Sequence, residues 1–142
     1  MNDTLYNKAL LRLAADAAGS GRLARPDASA TAHNPACGDR VTMDLGLADG
    51  RVTALGHHTQ ACILTQASAA ILGTAAIGAS RAELEALADG VRGMLKGGPA
   101  PLAAYDAFAG VGELPARHVC VMLPLQALLE AMDMSELGKP GA

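Results

Sequence analysis

The sequence predicts an α+β domain in which a small antiparallel sheet is followed by several helices. Three observations carry this expectation. Val41, Met43, Leu45 and Leu47 alternate with Thr42, Asp44 and Gly46, and a second run begins at Val52 after the turn pair Asp49-Gly50, which together read as a β-hairpin. From Cys62 onward the apolar residues recur at helical spacing instead. At 142 residues, the chain is sized for one domain with a real core and is too short for two of ordinary size.

Taken in order, residues 4–18 set Leu5, Ala9 and Leu13 four apart, with Tyr6, Leu10 and Ala17 beside them. That is the period of an amphipathic helix, ended by Gly19 and Gly21. Ala24 to His33, with one proline and several small residues, reads as a connector leading into a short strand. The hairpin follows, its second strand running to about Gln60. A helix then starts next to Cys62, with Leu64, Ala67, Ile71 and Ala75 on one stripe. Ser80 and Glu83 have the spacing of a capping box, and Leu84, Leu87, Val91 and Met94 continue that helix until Lys96-Gly97-Gly98-Pro99 breaks it. A short helical piece is expected around Pro101 to Phe108, then a loop through Gly110, Gly112 and Pro115. The last helix falls between Cys120 and Met132, with Pro124 in or near its first turn, because an interior proline removes a hydrogen bond and clashes with the preceding turn. The domain is expected to span residues 1–133, with 134–142 a flexible tail.

Composition narrows the function. The net charge is −3 and Lys and Arg are scattered, so no basic stripe offers itself to a nucleic-acid backbone. The first residues alternate apolar and polar, unlike a secretory signal, and no later run is long enough to span a membrane. A cytoplasmic location is therefore expected. Half of the residues are hydrophobic but only three are aromatic, so the core is built from small and aliphatic side chains that favour close helix packing. Three cysteines in a reducing compartment point away from disulfides and toward metal binding, sulfur chemistry or inert burial.

The cysteines fall at the expected ends of elements: Cys37 in a loop before a strand, Cys62 at a strand-to-helix junction, and Cys120 near the start of the last helix. A structural cysteine is a small hydrophobe that usually sits within an element. At a helix N-terminus, unsatisfied amides and the macrodipole favour a thiolate, a better ligand and nucleophile, and Cys62 and Cys120 are candidates for that effect. Asp39 adds an oxygen donor two residues from Cys37, and Gly38 between them permits a sharp turn. Taken alone, that aspartate reads first as a turn cap or a partner of Arg40, and a Cys-x-Asp pair by itself does not identify a metal site.

Three blocks carry a resemblance: "NPACGDRVTMDL" at 34–45, "ACILTQASAAILG" at 61–73 and "LPARHVCVMLPLQALLEAM" at 114–132. In this order they resemble the NifU-N, IscU and SufU group of iron-sulfur cluster assembly proteins, and the SufU type most. The resemblance implies a small three-stranded antiparallel sheet packed against about five helices. It also implies that Cys37, Asp39, Cys62 and Cys120 converge as ligands of zinc or of an iron-sulfur cluster, of which a 2Fe–2S cluster is one form. The sulfur acceptor would be one of Cys37, Cys62 and Cys120. The partners implied are a cysteine desulfurase and recipient apo-proteins or cluster carriers, with no nucleic acid and no membrane; the oligomeric state stays open.

Departures from the group's pattern are informative. Isc-type scaffolds carry a histidine directly before the third cysteine, where this chain has Val119, with His118 one residue further back. His118 and Cys120 point the same way only if the segment is extended. The chaperone-binding segment of Isc-type scaffolds is replaced by "LPARH". His57 and His58 lie on the strand leading to Cys62 and face opposite sides. The resulting expectation is an assembly scaffold that accepts sulfur from a desulfurase. Its rivals are a zinc-dependent sulfurtransferase that houses no cluster and a metal-free adaptor that docks on a desulfurase.

Overall fold

The two-residue alternation of the central sequence builds strands, and their register decides what each face carries. The structure, a computed structural model, describes residues 8–35 and 38–137. Strands β1 (Ala28–Asn34), β2 (Asp39–Ala48) and β3 (Arg51–Gln60) form one antiparallel sheet in the order β1-β2-β3. The β2–β3 turn is Asp49-Gly50, both at positive φ (+53° and +76°), as a two-residue hairpin turn requires. Around the sheet lie α1 (Lys8–Asp16), α2 (Ile63–Ala75), α3 (Arg81–Leu95) and α4 (Pro115–Leu137), with short 3-10 helices at Ala103–Phe108 and Val111–Glu113. This is the expected three-stranded antiparallel sheet against about five helices.

One face of the sheet is the core. Ala28, Ala30 and Ala32 of β1 stand opposite Leu45, Met43 and Val41 of β2 in register, so a row of small side chains borders a row of large ones. Helix α4 packs across both strands, and the alanines let it approach closely. Its Val121, Leu125 and Leu128 are fully buried with Val41, Met43 and Leu45. Helix α2 packs on α4 and on α1. The α1–α2 crossing depends on Gly73, where a Cβ would run into the carbonyl of Ala18. Ser80 caps α3 with the full reciprocal box, its hydroxyl accepting from the Glu83 N–H while the Glu83 carboxylate accepts from the Ser80 N–H.

The connector after α1 runs along the outer edge of β3. The Gly21 N–H donates to the His57 carbonyl at 2.8 Å, and the His57 N–H to the Gly19 carbonyl at 2.9 Å. The chain then crosses to the sheet's second face, where Asp44 is buried. Arg22 donates to its carboxylate from Nε (2.5 Å) and Nη2 (3.1 Å), the Leu23 N–H at 3.1 Å and the Ser29 hydroxyl at 2.6 Å. Burial alone pushes the Asp44 carboxyl up. The hydrogen bonds from Arg22, Ser29 and Leu23 outweigh that and hold it below its usual value.

Strand β1 occupies Ala28–Asn34, most of which the sequence presents as connector, and two helix boundaries also differ from the sequence expectation. The first helix ends at Asp16 rather than Ala18, because Ala17 turns to φ +47°; residues 4–7 lie outside the described residues. The last helix does not begin near Cys120 with Pro124 in its first turn. It opens at Pro115, a position that suits proline's fixed φ and missing N–H, and carries Pro124 in its interior. An interior proline costs about 3 kcal/mol, which packing against β1, β2, α2 and α3 outweighs. The helix continues through Leu137.

Replacing Asp44 with Asn keeps the shape and removes the charge. Since Arg22 is 56% exposed and its share is screened, denaturant unfolding at neutral pH should show a loss of about 1–2 kcal/mol. The native carboxyl has the lower pKa, so its contribution is present above about pH 4 and is lost as pH falls through the native value. The gap between wild type and variant should therefore close in acid; a gap independent of pH would refute the assignment.

Candidate metal centre

Three elements far apart in sequence deliver three donor side chains to one place. Asp39 is the first residue of β2 and has the same parity as Val41, Met43 and Leu45, so its carboxylate faces α4. The turn before it needs Gly38, which sits at φ +76° and whose N–H donates to the Asn34 carbonyl at 2.8 Å. Cys62 stands two residues past the end of β3 and is the N-cap residue of α2, with extended φ and ψ of −66° and 169°. Cys120 lies on α4 and is 3% exposed. One ligand atom from each of Asp39, Cys62 and Cys120 lies within 4.8 Å of the other two. The Cys120 thiol faces Asp39 Oδ2 at 3.9 Å.

Buried polar contacts hold these elements in place. The Ser68 hydroxyl on α2 donates to the Val121 carbonyl on α4 at 2.7 Å, which fixes how α4 is rotated beside α2. Val121 immediately follows Cys120, so the same bond sets where Cys120 meets Cys62. On the other side of Cys62, the Gln66 side-chain amide donates to the Ala61 carbonyl at 2.8 Å and secures the turn from β3 into α2.

Asp39, Cys62 and Cys120 are thus brought together, while Cys37 lies outside the described residues. Cys120 corrects one expectation. It does not sit at an element end, because α4 opens at Pro115 and the sulfur belongs to the second turn, where the dipole effect has largely fallen away. Cys62 does sit at a helix N-terminus. Its sulfur makes no bond to the helix amides and instead lies 3.5 Å from the Thr65 hydroxyl. Thr65 did not emerge from the sequence, although its place three residues after a helix-capping cysteine is the signal that finds it.

His118 and His57 are engaged elsewhere. With residues 115–137 helical, His118 and Cys120 project about 200° apart. His118 Nε2 lies 3.1 Å from the Gly112 carbonyl, which only accepts, so that nitrogen carries the proton. His57 is buried and gives its Nε2 proton to the Ala18 carbonyl at 3.0 Å, while Nδ1 accepts from the Thr59 hydroxyl at 2.9 Å. Burial holds its pKa below the ordinary value despite that carbonyl. His58 faces the other way and is exposed.

The donor set suits a small thiophilic ion. Tetrahedral zinc with thiolate bonds of about 2.3 Å sets its ligand atoms about 3.8 Å apart, so donors within 4.8 Å of one another need only a small closure.

Residues 5–134 match the family described as NifU-like N terminal domain. The iron-sulfur cluster assembly scaffold protein IscU of Streptococcus pyogenes serotype M1 is 31% identical over 107 residues, covering 72% of this chain and 67% of that protein. The N-terminal crystal structure of a nitrogen-fixing NifU-like protein from Brucella abortus superposes with a TM-score of 0.90 at 38% identity, over 96% of this chain and 98% of that one. A putative SUF-system scaffold, SufU, from Fervidobacterium islandicum AW-1 gives a TM-score of 0.84 over 93% and 99% of the two chains. At 18% identity, that last likeness is one of fold.

The orientation of His118 has a direct test. His118→Ala should leave cobalt affinity unchanged in a visible-absorption titration, against the roughly 10–100-fold loss expected for residues that touch a ligand. A loss of that size would bring His118 into the site.

Proposed function

Since the chain belongs to the NifU-like N-terminal domain family, we propose that it is an iron-sulfur cluster assembly scaffold whose cargo, a metal ion or nascent cluster, is held by Cys37, Asp39, Cys62 and Cys120. The observation that carries this reading is the convergence of Asp39, Cys62 and Cys120 from β2, the head of α2 and α4. Two soft thiolates beside one hard carboxylate give a set that grips through sulfur and lets go through oxygen. The IscU relative, described as an assembly scaffold, supports the same reading.

In this proposal, sulfur arrives as the persulfide of a cysteine desulfurase. A thiolate of Cys37, Cys62 or Cys120 attacks the outer sulfur and forms a new S–S bond. The bond from that sulfur to the desulfurase cysteine breaks, and the desulfurase cysteine leaves as a thiolate, so no external oxidant is required. Attack at Cys120, 3% exposed, requires the site to open. Asp39 lies against that sulfur and is the weakest ligand of the set, so its departure uncovers Cys120. Recipient apo-proteins or cluster carriers then take the cargo. Among the described residues no helix is long and apolar enough to cross a membrane.

A zinc-dependent sulfurtransferase that houses no cluster is the second reading, and the compactness of the donor set favours it. Ligand atoms within 4.8 Å of one another suit a single ion. Anaerobic reconstitution with ferrous iron, cysteine, a desulfurase and a dithiol reductant, which supplies the electrons that convert persulfide sulfur to sulfide, separates the two. Stable visible absorption that depends on the three cysteines is the scaffold outcome; persulfide turnover with bound zinc and no colour is the transferase outcome.

Within either reading the ligands should differ in kind. Asp39→Ala should lengthen cargo residence, measured by the rate of transfer to a chelator, whereas Cys62→Ser should lower metal content outright. Equal metal content and equal transfer rates in wild type and both variants would remove these residues from the site.

A further inference from the structure

Thr65 is 0% exposed, and the partner the structure gives its hydroxyl among the described residues is the Cys62 sulfur, at 3.5 Å. A buried hydroxyl left without a strong partner is destabilising, so a buried hydroxyl aimed at sulfur calls for an explanation. A thiol is a weak partner, able to give or receive. A thiolate can only accept, and a hydrogen bond to it is charge-assisted and stronger. The pairing therefore matches Cys62 in its ligating state better than Cys62 as an inert thiol.

The local backbone points the same way. Cys62 is the N-cap of α2 and Thr65 its third helical residue, the two positions that a serine–glutamate box occupies at the head of α3. At α3 the cap side chain accepts from the backbone. At α2 it does not, and the contact runs between the two side chains instead. The sulfur lies within reach of the Asp39 and Cys120 donor atoms, and the buried Thr65 hydroxyl contacts it as well.

We propose that Thr65 is a positioning residue that donates to the Cys62 thiolate and makes Cys62 the anchored ligand of the site. This rests on the reading of Cys62 as a metal ligand. It adds an order of exchange: Asp39 leaves readily, Cys62 is held from behind, and a cargo being handed over stays attached at Cys62 longest. Residues that hydrogen-bond a ligand from outside the ligand set typically contribute 10–100-fold to metal affinity.

The test is timed alkylation of the zinc-loaded full chain with iodoacetamide, with each cysteine followed by peptide mass spectrometry. In Thr65→Val, which keeps the shape and deletes the hydroxyl, Cys62 should be modified about ten-fold faster than in wild type. Cys120 should be little changed, and Thr65→Ser should restore the wild-type rate. Melting of the zinc-free variants checks the fold, and Thr65→Ala makes the same comparison if the valine variant does not fold. The proposal fails if Cys62 reactivity is unchanged in Thr65→Val, if all cysteines accelerate equally, or if Thr65→Ser behaves as Thr65→Val does. Should zinc leave Cys62 reactivity unaltered in the wild type, Cys62 is not a ligand, and the site reading falls together with the role of Thr65.

Discussion

Helix α4 lies against β1 and β2 with alanines at positions 28, 30 and 32 beneath it, and this close approach sets the height of the helix above the sheet. Cys120 and Asp39 sit on the two facing surfaces, so the same height sets the gap between sulfur and carboxylate. A larger side chain on β1 would lift the helix and open the site. The scarcity of aromatic residues belongs to this design, since a core of Ala, Leu and Val packs helix to sheet at short range. Rotation is a separate constraint, and the Ser68 bond to Val121 supplies it. Height from alanines and rotation from one buried hydroxyl together locate a ligand that the helix alone would leave free to swing.

The hairpin was legible because its signals are local, whereas most of β1 (Ala28–Asn34) reads as connector and only the resemblance implied a third strand. Alternation around Asp49-Gly50 needs no knowledge of what packs against it, and the capping box at Ser80 closed as its spacing indicates. The start of the last helix, by contrast, depends on packing that no local rule contains. Proline inside a helix is unfavourable by itself, and only the packing of α4 against four other elements makes Pro124 tolerable. Because α4 starts at Pro115, Cys120 lies in its second turn and not at a helix N-terminus.

The candidate site was partly readable in the same way. Asp39 shares its parity with Val41, Met43 and Leu45, so its helix-facing direction follows from the two-residue period of the strand. Its meeting with Cys62 and Cys120 does not, because no local pattern links residues that far apart; the resemblance to a family supplied that step. Thr65 stayed hidden since a threonine in an alanine-rich helix carries no chemical signal until the sulfur beside it is seen. The orientation of His118 followed once the segment proved helical, as a two-residue offset separates side chains on a helix and aligns them on a strand.

The connector that pairs Gly19 and Gly21 with His57 has a consequence for association. Sheet edges invite other chains to add a strand, and here the backbone of His57 already spends both its donor and its acceptor within the molecule. A visiting strand would have to strip that connector away, and with it the Arg22 contact to Asp44. Strand addition is thereby closed off at the middle of β3, and whatever docks on this side of the molecule must do so through side chains.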